Sequence, residues 1–152
     1  MSSSHLLDTS ALLAHYREEP GYEVVERLLE EHPEEVCISA ISWLEFHVHM
    51  KVLVPDAKAR AESLAIYEEL LAEALPATRE VARAAFDLRE QLAERIPNGD
   101  ALIAATAWLR GAKLVHRDPH FSRIPETLLQ QIVLPSKSKA PQPKQKPSGP
   151  SS

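Results

Sequence analysis

Only one cysteine, Cys37, occurs in the 152 residues, so no internal disulfide can form and a reducing, cytoplasmic setting is the expected one. No apolar run is long enough to span a bilayer, and the opening MSSSHLLDTS lacks the basic region and long apolar stretch of a secretion signal. A soluble protein with no membrane partner is implied. There is no internal repeat, which excludes a solenoid or propeller. Basic charge is scarce where it would matter: the formal net charge of −5 conceals a body, 1–135, near −9, with 22 acidic residues against 13 basic, because 136–152 carries four lysines and no acid. An acidic body argues against salt-driven, nonspecific binding of nucleic acid, though not against its cleavage at a bound cation, which reverses the local sign.

At 152 residues and 44% hydrophobic, the chain suits one compact domain, 1–135, able to bury its own core. From 136 the composition collapses to Pro, Lys, Ser and Gln with no large apolar residue, the signature of a disordered tail. Within the body, 98–121 reads NGDALIAATAWLRGAKLVHRDPHF, and the chain is organised around it. Residues 101–109 are apolar except for Thr106, which predicts a helix covered on nearly all sides, with Asn98 and Gly99 as its turn and cap and Gly111 as its left-handed stop. A short strand, 113–116, ends before Asp118 and Pro119.

Upstream, 5–7 predicts a strand running into Asp8, with Thr9 and Ser10 capping a helix. Helical spacing over 21–31 ends at Pro33, and 36–39 is a second strand. Residues 41–53 read as a helix with Ile41, Leu44, Val48 and Val52 on one side and Glu45 in apolar company. Helices are expected over 56–74 and from Thr78 to near Pro97, joined by an extended link, and a last strand over 131–134. The order β-α-α-β-α-α, two further helices, then β and β implies an α/β fold with a short parallel central sheet flanked by helices.

Four acids stand where structure alone would not choose them: Asp8 after the first strand, Glu45 on an apolar helix, Asp100 at a buried helix start and Asp118 after a strand. Each also suits a plain role, Asp8 and Asp100 as helix caps, Asp118 as a turn residue, Glu45 as the partner of an arginine. Together, at the carboxyl edge where open α/β sheets put their sites, they suggest more. Two carboxylates about 4 Å apart repel by roughly 4 kcal/mol at an effective dielectric of ~20, so a converged cluster calls for a divalent cation. Oxygen-only ligands favour Mg²⁺ or Mn²⁺ over zinc, and such ions suit phosphodiester hydrolysis.

The segments LLDTSALL, ISWLEF, NGDALIAATAWLRGAKLV and HRDPHF together resemble the PIN-domain family, in particular its VapC-like toxin ribonucleases, over about 5–134. The resemblance implies a three-layer α/β/α sandwich in which Asp8, Glu45, Asp100 and Asp118 bind Mg²⁺ or Mn²⁺ and cut RNA, with Ser10 in a supporting role. It further implies a homodimer and a cognate antitoxin whose peptide wraps the toxin and blocks its site. Two positions depart from the family pattern: His116 stands where a threonine is usual, and His120 near where an acid is. They motivate an alternative, a catalytically weakened PIN-like module that binds RNA or a protein.

Two other acidic α/β sites are disfavoured. A phospho-accepting receiver needs adjacent acids after its first strand, and a haloacid-dehalogenase-like phosphatase needs a second acid two places after the first, where Ser10 stands. His116 either contacts substrate phosphate or fills a strand end. His49, one turn past Glu45, has ligand spacing. Arg117 and Arg123 flank Asp118 and either meet phosphate or coat the surface, as do the tail lysines. Trp43 and Trp108 are expected in the core or a dimer contact.

Overall fold

The computed structural model describes residues 4–136, so the expected tail lies outside the described residues save for Ser136. Five strands, β1 (His5–Leu7), β2 (Val36–Ser39), β3 (Glu73–Leu75), β4 (Lys113–His116) and β5 (Gln131–Val133), pair in parallel in the order β3-β2-β1-β4-β5. Parallel strands need crossovers, and six helices supply the first three in pairs, α1 (Thr9–Arg17) with α2 (Tyr22–Glu31), α3 (Ala40–Leu53) with α4 (Ala57–Leu70), and α5 (Arg79–Glu90) with α6 (Asn98–Arg110), while β4 reaches β5 through a loop with one 3-10 turn, Phe121–Arg123. The result is the three-layer α/β/α arrangement.

Alternation along each strand divides the core. Leu6, Cys37 and Leu114 lie in register and face α5 and α6, with Leu88, Ile103 and Phe121. Their neighbours Leu7, Ile38 and Val115 face the other way, onto Leu12, Val25, Phe46, Met50 and Tyr67. Both faces being covered, β1 and β2 are buried at every position, including the polar His5 and Ser39. Cys37 is buried, and burial pushes its thiol up, so it packs as a small apolar side chain.

Where the elements differ from expectation, the reasons are physical. The strand β3 lies inside what pattern alone extends as helix or link; it is an edge strand with Glu73 and Ala74 exposed, held by backbone pairing to β2, so no apolar alternation betrays it. The preceding helix stops at Leu70 because the chain must turn extended at Leu71 to reach that edge. The helix α5 ends at Glu90, well before Pro97, and Ile96 is buried from a loop. Asp8, not Thr9 or Ser10, caps α1. Asn98 and Gly99 belong to α6 itself, whose cap is Pro97, while Gly111 is its left-handed stop at φ 66°. On α3 most of the expected apolar side is turned outward, Leu44, Val48 and Val52 being 62%, 60% and 77% exposed while Ile41 packs partly buried against the core, and Ser42, Phe46 and Met50 are buried instead. No described helix is long and apolar enough to cross a membrane.

Candidate metal centre

From β1 the chain passes to β2 and β3 on one side, then jumps back to β4 on the other. The boundary between β1 and β4 is therefore the switch point of the sheet, where a crevice opens at the carboxyl edge. Asp8 follows β1 and Asp118 lies two residues beyond β4. The two corners are stitched together past the strand ends: the Asp8 amide donates to Val115 O at 3.0 Å, and the Arg117 amide donates to Ser10 Oγ at 3.1 Å. Ser10 in turn donates its hydroxyl and its backbone N–H to Asp8 Oδ2, at 2.6 and 3.0 Å.

Helices bring the other two acids to the same crevice. Glu45 projects from α3 and accepts the Thr9 hydroxyl on Oε1 at 2.6 Å, so the partner of this carboxylate is a threonine and not an arginine. Asp100 stands in the first turn of α6; that turn runs past Glu45 so closely that a Cβ on Gly99 would lie 3.6 Å from Glu45 Oε2. Asp8, Thr9, Ser10, Glu45, Asp100 and Asp118 thus line one cleft of about 620 Å³, whose rim carries Leu44, Val48, His49 and His120. Among the described residues neither lysine nor arginine lines it.

Burial and crowding set the charge state. Asp8 is almost completely buried, which pushes its carboxyl up to about 7; the Ser10 bonds pull it down, and Asp118 pushes it up further. Asp100 is also raised, first by burial and then by Asp118, with Glu45 adding to the repulsion and His120 opposing it. Within the cleft a tighter group stands out: single ligand atoms of Asp100, Asp118 and His120 all lie within 4.8 Å of one another, a set that includes neither Asp8 nor Glu45.

His116 does not face the cleft. It is fully buried, and its Nδ1 accepts the Asp118 backbone N–H at 3.1 Å, which leaves Nε2–H to donate to Gln131 Oε1 at 2.8 Å. Gln131 then donates to Ile124 O at 2.8 Å. Burial lowers the His116 pKa, in keeping with a neutral ring braced beneath the Asp118 turn. Arg117 and Arg123 are likewise committed, Arg117 to Glu19 in a pair with little solvent contact and Arg123 to Glu94 and Arg95 O. The bonds of Thr9, Gln131 and Glu19 could not be read from the sequence, since their partners are distant in the chain.

A model of the PIN domain matches residues 5–127. The chain belongs to the PIN-domain family. This PIN domain superposes on FitAcB from Neisseria gonorrhoeae with a TM-score of 0.67 at 26% identity, covering 84% of this chain and 96% of that one. A toxin–antitoxin complex from Klebsiella pneumoniae gives 0.62 at 25% identity, covering 86% and 97%. VapBC2 from Rickettsia felis, bound to a DNA fragment from its promoter, gives 0.67 at 24%, covering 86% and 98%. No curated protein matches this PIN domain in sequence.

Proposed function

We propose that this PIN domain is a divalent-metal-dependent endoribonuclease and the toxin of a type II toxin–antitoxin pair. PIN-domain nucleases are hydrolases that act on RNA and use a divalent metal. The observation that carries the assignment is the convergence of Asp8, Glu45, Asp100 and Asp118 on one cleft that no lysine or arginine among the described residues lines. The donor set fits a hard cation: oxygen atoms dominate, and Asp8 and Asp100 are raised first by burial and then by neighbouring carboxylates whose repulsion a cation would relieve. Asp8, Glu45, Asp100 and Asp118 would hold Mg²⁺ or Mn²⁺.

When bound, the ion supplies Lewis-acid stabilisation of the phosphate and activation of the attacking water. The chain supplies orientation. Ser10 holds Asp8, Thr9 holds Glu45, and the Gln131–His116 pair fixes the backbone at Asp118. The carboxylates lining the cleft repel RNA phosphate by themselves, a repulsion that a cation held by Asp8, Glu45, Asp100 and Asp118 would reverse.

The antitoxin partner is supported by the outward stripe on α3. Leu44 and Val48 border the cleft beside Glu45, so a peptide lying along Leu44, Val48 and Val52 covers the site as it binds. Structures aligned above include toxin–antitoxin complexes. A homodimer and a cytoplasmic location complete the proposal.

Cleavage of a structured RNA tests the assignment. Activity should appear with Mn²⁺ or Mg²⁺, vanish with chelator and return on adding the ion back; cleavage that chelator leaves untouched would refute it. Calorimetric Mn²⁺ titration separates the alternative, a weakened binding module, which should take up little or no ion.

A further inference from the structure

The cleft also holds an imidazole. His120 follows Asp118 by two residues, and its backbone N–H donates to Asp118 Oδ1 at 2.9 Å, so the turn that sets Asp118 also sets the root of the His120 side chain. Its Nδ1 lies 2.9 Å from Asp100 Oδ2 and 3.4 Å from Asp118 Oδ1. Neighbouring ligands on an octahedral ion with bonds of about 2.1 Å are ~3 Å apart, so these separations suit atoms that share one cation. The three residues form the one compact set of possible ligands among the described residues. With its side chain 40% exposed, the ring can turn a lone pair inward without repacking the core.

Resting on the metal-dependent reading of the cleft, we propose that His120 is a nitrogen ligand beside Asp100 and Asp118, and that it makes the site selective for Mn²⁺ over Mg²⁺. The selectivity follows from the donor. Mg²⁺ is small, holds its water tightly and takes oxygen ligands, whereas imidazole binds first-row transition ions better along their usual order of affinity. An imidazole in place of an oxygen therefore weakens Mg²⁺ more than Mn²⁺.

The full chain, loaded with Mn²⁺, should show nitrogen hyperfine coupling in pulsed electron paramagnetic resonance. His120→Asp should abolish the coupling, and His49→Ala, at the cleft rim, should keep it. Calorimetry with each ion should find the Mn²⁺ preference narrowed by about tenfold in His120→Asp. Bound Mn²⁺ without nitrogen coupling, or an unchanged ion preference in His120→Asp, would overturn the proposal while leaving the metal site standing; His120 would then only hydrogen-bond Asp100. Failure of the wild-type chain to bind either ion would remove the metal reading itself and this inference with it.

Discussion

Asp8 is both a helix cap and a buried acid in a crowded cleft, and its titration links the site to stability. Burial raises its folded-state pKa from 3.8 to about 7. Between those values the folded chain keeps a proton that the unfolded chain releases, so this contribution is fully present below the unfolded pKa and is lost as pH rises to about 7. Asp100 is shifted in the same direction and adds to the slope. In metal-free protein, thermal melts of Asp8→Asn should show a weaker fall of Tm with pH, and a Tm at pH 8 raised by roughly 3–8 °C. Thr9 offers a second check. Thr9→Val removes the bond that aims Glu45, and calorimetry should find Mn²⁺ affinity reduced by about tenfold with the fold intact. The four acids were legible because each follows a strand, interrupts an apolar helix or opens one. Their supports were not: Thr9 meets Glu45 across 36 residues, and His116 meets Gln131 across 15, so only the folded chain brings them together.

Among the elements, α3 separates hydrophobicity from burial. It is apolar nearly all round, and a periodicity that marks a stripe cannot say whether that stripe faces the core or a partner. Chemical denaturation distinguishes its faces: Phe46→Ala should cost about 3–5 kcal/mol, whereas Val52→Lys should change stability by no more than about 0.5 kcal/mol. A second junction joins the α1–α2 corner to the end of β4 through Glu19 and Arg117. Glu19→Ala leaves a nearly buried guanidinium without its carboxylate and should cost about 3 kcal/mol in the same measurement, well above an exposed pair. The strand β3 was hidden for the opposite reason to α3, since a three-residue edge strand with two exposed side chains carries no pattern of its own.

For the whole molecule, the alternation of short apolar strands with helices was enough to imply a parallel sheet, but the strand order was not written in any local pattern. That order decides the site: by placing β1 beside β4 it brings Asp8 and Asp118 to one switch point, and α3 and α6 close over it with Glu45 and Asp100. Catalysis by an ion held at this rim is the central claim. It is tested most directly by RNA cleavage with saturating Mn²⁺, comparing wild type with Asp8→Asn and Asp100→Asn, each shown by circular dichroism to be folded. Both variants should lose activity by roughly 100-fold or more, because each removes an anionic ligand. Cleavage by either at the wild-type rate would contradict the account.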